Sequence, residues 1–166
     1  WAIRSWEADA ATTQDPRLQE MTASLAKERD FYGFLASEKL NKEYSLNHNP
    51  VTIDEARIDS IKLRPAMQRA RELFFHNDSL DANREWRQAS SDFAYEDWLA
   101  AAIIASQWQW HDKAIASLGQ AKYWDDIEIR FPLAYAEVID STAEKTNIAN
   151  YLLLALARQE SAFNPR

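Results

Sequence analysis

The sequence predicts an all-α protein, and three observations predict it. Only two glycines, Gly33 and Gly119, occur in 166 residues, too few for the tight turns of a sheet or for loops that cradle phosphate. Hydrophobic residues make up 46% of the chain, enough to fill one or two buried cores. Capping residues and helix-opening prolines recur at short spacing. Since one helix hairpin cannot bury its own apolar faces, hairpins in series imply a curved stack in which neighbours cover one another. No strict sequence period accompanies them.

The elements follow in order. Asp15-Pro16 is an N-cap followed by proline in the first turn, which predicts a helix from Pro16 to about Glu28. "FYGFLASEKL" places Phe31, Phe34, Leu35 and Glu38 on one side of the next helix, before the polar stretch Asn41 to Pro50 interrupts the periodicity as a first linker. Thr52 and Glu55 have capping-box spacing and predict a short helix. Pro65 opens "PAMQRARELFFHN", and Ser79 caps a partner that contains Leu80, Trp86 and Ala89, giving two antiparallel helices. "DFAYEDWLAAAIIASQW" predicts a strongly buried helix, and "HDKAIASLGQ" a shorter one ended by Gly119 in the left-handed conformation. Pro132 biases Phe131 away from helix, so Arg130 to Pro132 marks a change of direction. A polar stretch "DSTAEKTN" follows, with Thr146 or Asn147 as the cap of a terminal helix. A second boundary is expected between about 130 and 147.

Composition excludes several classes of function. The net charge of −7 is spread in mixed sign, as in "LAKERD" and "MQRARE", so no basic stripe exists to release counterions from a nucleic acid. The longest apolar run, "WLAAAIIA", is far short of the ~20 residues that span a bilayer and fits a buried helix. Without cysteine there are no disulfides or thiolate sites. His48, His76 and His111 are scattered without ligand spacing, so neither metal nor cofactor is expected. Helical patterning is already under way at Trp1, and "FNPR" stops just past a helix-ending proline. Both ends therefore read as cuts from something longer. Of the seven tryptophans, most are expected in the core. Trp108 and Trp110, two residues apart near a helix end, cannot both face one side.

One residue breaks the apolar pattern. In a terminal helix starting near Asn147 and turning about 100° per residue, Ala149, Leu152, Leu153, Leu156, Glu160 and Phe163 fall within about a quarter of the circumference. An ionised carboxyl placed among leucines is costly, so such a group tends to hold its proton. A held proton is what a general acid needs beside a glycosidic oxygen. The plain alternative is a glutamate in a frayed last turn, reached by solvent.

"ALARQESAFNPR" resembles the catalytic signature of the lytic murein transglycosylases, whose core resembles goose-type lysozyme. "RFPLAY" resembles the segment by which the large soluble members enter their catalytic domain. "RELFFHNDSLDANREWRQA" and "AIIASQWQWHDKAIASLGQAKYWDDIEIRFPLAY" are similar to their helical linker domain, and "RDFYGFLASEKLNKEYSL" to the end of their superhelical domain. The resemblance covers most of the chain. It implies a right-handed superhelical stack of antiparallel helix hairpins followed by the first helices of a truncated lysozyme-like domain, with the end of the superhelical domain over residues 1–45, the helical linker domain over 46–130, and the start of the catalytic domain over 131–166.

It also implies chemistry. Glu160 would protonate the oxygen between N-acetylmuramic acid and N-acetylglucosamine, then as carboxylate accept a proton from the muramoyl hydroxyl on carbon six, closing a 1,6-anhydro ring without water. From Leu152 to Arg166 no second acid accompanies Glu160, which suits this scheme, whereas ordinary glycosidases use a pair. Ser161 would orient or hydrogen-bond near the catalytic carboxyl, or would be a helix-terminal serine in solvent. The implied partners are peptidoglycan glycan strands and cell-wall synthesis or remodelling proteins, and the implied location is the periplasm.

The family's "GLMQ"-type and "AYNAG"-type segments, which build its sugar groove, do not occur here. The chain alone is therefore expected to be inactive, because positioning and electrostatic surroundings supply most of such a rate. A reading from another class stands beside this one. It is a non-enzymatic helical scaffold that binds glycan strands or a protein partner through a concave face.

Overall fold

A computed structural model describes residues 16–164. The Asp15 cap and the tryptophans Trp1 and Trp6 lie outside the described residues. These form ten helices and no strand: α1 (Pro16–Leu25), α2 (Phe31–Lys39), α3 (Glu55–Lys62), α4 (Pro65–Phe75), α5 (Ser79–Ala89), α6 (Tyr95–Gln107), α7 (His111–Ala121), α8 (Ile127–Arg130), α9 (Ala136–Thr146) and α10 (Asn150–Ser161). The all-helical class predicted from glycine scarcity and cap spacing is the one observed. The chain divides into two compact units, Trp1–His48 and Asn49–Arg166.

In the first unit α1 packs on α2. Asp30 caps α2 by accepting from the Gly33 amide at 2.7 Å. The buried Ser37 hydroxyl donates to the Ala26 carbonyl at 3.1 Å, across the turn between the helices. Gly33 is buried where the end of α1 comes closest, and a Cβ there would lie 2.0 Å from the Glu28 carbonyl oxygen.

The second unit is built on the pairs α4/α5 and α6/α7, with α3 against α6. Both pairs are antiparallel hairpins. Arg64, at the start of α4, donates to the carbonyl of Ala89 at the end of α5. Leu99 near the start of α6 clusters with Leu118 and Ala121 near the end of α7. Alanine permits this closeness, since Ala70, Ala82, Ala100, Ala101, Ala102 and Ala105 are all fully buried and backbones approach where side chains are short. Bulk comes from Met67, Ile104 and the tryptophans. Trp110 stacks on Phe74 at 4.4 Å and meets Trp86 edge-on at 5.3 Å.

Trp86 and Trp110 are buried, Trp98 and Trp108 half-buried, and Trp124 is exposed. Core packing thus accounts for the interior ones, and of Trp108 and Trp110 only the latter is wholly inside. Asp97, buried in α6, accepts from Arg57 Nε at 2.8 Å and from the Ala94 amide at 3.0 Å, so one carboxylate ties α3 to α6 and caps α6.

Local chemistry departs from the sequence reading at four places. The cap of α3 is Asp54, which accepts from the Ala56 amide at 3.1 Å, and Glu55 is the first helical residue instead of the far half of a box with Thr52. Asp78 caps α5, and Ser79 is its first residue. Gly119 does not end α7; the left-handed residue there is Lys122 at φ 54°, with Tyr123 N–H closing on Leu118 O at 3.0 Å. The same closure, with a left-handed residue that is not glycine, ends α2 at Asn41, α4 at Asn77 and α6 at Gln109. The polar stretch "DSTAEKTN" folds as most of α9; Asn147 ends that helix in the left-handed region, and α10 begins behind Ala149. Its charged side chains face solvent, and the hydroxyls of Ser141, Thr142 and Thr146 donate back to the Val138 and Thr142 carbonyls of the same helix, so polarity marked an exposed helix and not a loop.

Candidate active site

The candidate acid sits in the last turn of α10. That helix forms because Tyr151 to Gln159 contains only good helix formers after its aromatic first turn. It stops because Ala162 and Phe163 are both left-handed, at φ 50° and 64°. Glu160 and Ser161 are both exposed. The Ser161 hydroxyl donates to the Ala157 carbonyl one turn back at 3.1 Å, which leaves its lone pairs toward solvent.

The apolar stripe expected around Glu160 is present in sequence register but is not closed over. Leu152 and Leu156 are 48% and 50% exposed and Tyr151 is 74% exposed. Leu153, Leu154, Ala157 and Arg158 are the half-buried side of α10. The surroundings that would desolvate Glu160 are therefore absent among the described residues. The helix instead buries the neighbouring side, because its contacts are with α9 and with the segment that enters the hairpin.

What holds α10 in place was not singled out from sequence. Arg158 donates from Nε to the Arg130 carbonyl at 3.0 Å, and its guanidinium lies 4.9 Å from the centre of the Phe131 ring. The Arg130 guanidinium lies 5.2 Å from the centre of the same ring and 4.9 Å from that of Trp124. Two residues before Glu160, the chain is thus fastened to the change of direction at Arg130 to Pro132. Three residues after it, Phe163 is buried, accepts at its carbonyl from the Tyr135 hydroxyl at 3.2 Å, and meets the His111 ring edge-on at 6.1 Å. His111 also faces Tyr135 at 6.2 Å. Burial pushes the His111 imidazole below its usual value, opposed by the neighbouring Asp112 carboxylate. "RFPLAY" and "RQESAF" thereby become one joint. The signal in the sequence was Arg158, a cation in a last turn whose planar head suits both a carbonyl and a ring face.

A recess of about 400 Å³ beside this joint is walled mainly by Phe131, Leu133, Tyr151, Leu154, Arg158 and Phe163. Glu160 and Ser161 are not among its lining residues. Among the described residues no group of three or more His, Cys, Asp or Glu is placed to hold a metal ion, and no helix is long and apolar enough to cross a membrane.

Within the second unit, antiparallel helix pairs followed by a short hairpin whose last helix presents a Glu-Ser pair to solvent define a helical-hairpin protein. Residues 60–127 match the family model described as the soluble lytic murein transglycosylase L domain, and the chain is similar over most of its length to the soluble lytic murein transglycosylases. It is 30% identical to the soluble lytic murein transglycosylases of Salmonella typhimurium and of Escherichia coli K12, over 98% of this chain and 25% of theirs. Its fold matches that of an inactive glutamate-to-glutamine mutant of the lytic transglycosylase Slt from Pseudomonas aeruginosa, with a TM-score of 0.85, 35% identity, and coverage of 98% of this chain and 26% of that one. The 70-kDa soluble lytic transglycosylase of Escherichia coli matches with a TM-score of 0.86 at 28% identity, over 100% of this chain and 26% of that one. A structure of a 70-kDa soluble lytic transglycosylase in complex with bulgecin A matches at a TM-score of 0.83. The chain thus spans about a quarter of the length of the relatives it matches.

Proposed function

We propose that this chain is part of a peptidoglycan lytic transglycosylase, and that Glu160 is its acid and then its base. Residues 1–45 are assigned to the end of a superhelical domain, 46–130 to the helical linker, and 131–166 to the opening of a lysozyme-like catalytic domain. The observation that carries the reading is the similarity to soluble lytic murein transglycosylases over 98% of the chain. The exposed Glu160 at the end of a helix pinned on both sides supports it.

The chemistry balances with one carboxyl. Glu160 donates its proton to the bridging oxygen, the bond between that oxygen and the anomeric carbon of N-acetylmuramic acid breaks, and N-acetylglucosamine leaves as an alcohol. The carboxylate then accepts the proton of the hydroxyl on carbon six as that oxygen bonds to the anomeric carbon. Ser161, whose lone pairs are free to solvent, hydrogen-bonds at the acid. By itself the chain is inactive, since the exposed Glu160 lacks the groove that would orient a sugar and desolvate the carboxyl. The partners are murein glycan strands and proteins of wall synthesis or remodelling, in the periplasm.

The test uses the full-length protein that carries this chain. Murein sacculi incubated with it should yield anhydromuropeptides by mass spectrometry, and with Glu160→Gln they should yield none. Equal product from both would remove Glu160 from the mechanism, and no product from either would leave a helical scaffold.

A further inference from the structure

A cavity of about 440 Å³ opens where the turns that end α4 and α6 meet Tyr135 and Phe163 of the terminal hairpin. This is within the ~300–1,000 Å³ of small-ligand sites. Its wall combines the rings of Phe75, Trp108 and Tyr135 with the side-chain amides of Asn77, Asn83 and Gln109. Phe75 and Tyr135 are 53% and 48% exposed, so both rings present surface to a ligand, with the Arg71 guanidinium 5.2 Å from the centre of the Phe75 ring.

Four of its lining residues, Asn77, Gln109, Tyr135 and Phe163, have left-handed backbones, with φ of 62°, 58°, 55° and 64°. For bulky aromatics that conformation is rare and persists only where the surroundings enforce it. Here the Tyr135 hydroxyl bonded to the Phe163 carbonyl and the edge-on His111 ring enforce it. The wall is therefore preorganised.

Charge narrows the ligand. Among the described residues no lysine or arginine lines the cavity; the cations at its edge, Arg71 over the Phe75 ring and Lys113, are paired with Glu72 at 2.7 Å and with the lining carboxylate of Asp112 at 3.5 Å. His111 is disfavoured as a cation by its burial. Among the described residues an anionic ligand such as a free peptide carboxylate would therefore meet no lining cation, only ones already paired with carboxylates. A neutral ring with an apolar face and a hydroxyl and amide rim matches aromatic surfaces edged by amides.

We propose that this cavity is a saccharide subsite that holds a neutral N-acetylated sugar ring of a glycan strand, its C–H face against Phe75 and Tyr135 and its acetamido and hydroxyl groups toward Asn77 and Gln109. The choice of an N-acetylated sugar rests on the peptidoglycan reading above.

The test is an NMR titration of the chain with the N-acetylglucosamine tetramer, following the indole N–H of Trp108 and the His111 ring. Asn77→Gly and Gln109→Gly remove the amides at positions where glycine suits the backbone, so the double variant should fold at least as stably as the parent chain. Phe75→Ala removes an exposed ring. Saccharide-dependent shifts at the cavity, with affinity reduced about tenfold or more in both variants, are the expected result. Absence of shifts, or affinity within about twofold of the parent in both variants, overturns the subsite. So does tighter binding there of an anionic stem tetrapeptide than of the saccharide. Because this binding does not require Glu160, product from Glu160→Gln sinks the catalytic reading while cavity binding persists. Glu160-dependent cleavage without cavity binding sinks the subsite alone.

Discussion

Replacing each of the two glycines by alanine should move stability in opposite directions. Gly119 lies inside α7 with an ordinary helical backbone, and a Cβ built there meets nothing within 4 Å. Glycine in a helix interior is about 0.8–1.0 kcal/mol worse than alanine, and no contact offsets that gain. Gly119→Ala should therefore stabilise the second unit by about 0.5–1 kcal/mol, a rise in Tm of roughly 4 °C for a unit of its size.

Gly33 is also helical, so propensity alone would give the same sign. Its Cβ, however, would stand 2.0 Å from the Glu28 carbonyl oxygen, 2.8 Å from the carbonyl carbon and 3.0 Å from the Leu25 oxygen. All three are backbone atoms, which no rotamer change can move. Relief requires the turn between the helices to shift, at the expense of the Asp30 cap on the Gly33 amide. Overpacking of this kind costs about 3 kcal/mol, more than the propensity gain. Urea unfolding followed by circular dichroism gives the two values, and amide exchange assigns them, protection falling in α1 and α2 for Gly33→Ala and rising in α7 for Gly119→Ala. A neutral Gly33→Ala, or a Gly119→Ala that loses stability, would refute the reasoning.

Arg158→Met keeps the aliphatic stem but removes the bond to the Arg130 carbonyl and the cation over Phe131. It should loosen α10 by about 1–3 kcal/mol, read as faster amide exchange in Leu152 to Ser161, and Arg158→Lys should not restore it because an ammonium lacks the planar head. His111 supplies a pH dependence. Burial holds its folded-state pKa below the unfolded value of about 6.5, so between the two the unfolded chain binds more protons and stability rises with pH. Stability should therefore fall as pH drops through about 6.5, and His111→Gln should flatten the slope of the urea midpoint in that window.

Legibility differed sharply between levels. The buried "WLAAAIIA" helix, the helix opened by Pro65 and the turn at Arg130 to Pro132 could be read from residues, because apolar period and proline geometry act within a few positions. Helix ends were harder. Asp54 and Asp78 took caps assigned to Thr52 and Ser79 because each places a carboxylate one residue before the first helical position. Gly119 was passed over as a terminator because α7 gains further burial by continuing to Ala121. Asn41, Asn77, Gln109 and Lys122 took the left-handed turns that sequence statistics reserve for glycine. The stretch "DSTAEKTN" was polar, and polarity does not distinguish an exposed helix from a loop.

At the candidate site the sequence alone placed Glu160, its serine neighbour Ser161 and the stripe of leucines on one register, since those are matters of identity and of a period of about 3.6. Only the tertiary structure decided which side of α10 is buried, that Arg158, Tyr135, Phe163 and His111 form one joint, and that aromatic rings and amides from three distant turns enclose a cavity. The reason is range. Helical periodicity is set by bonds four residues apart, whereas the joint spans residues 28 apart between Arg130 and Arg158, and no local preference carries information over that separation.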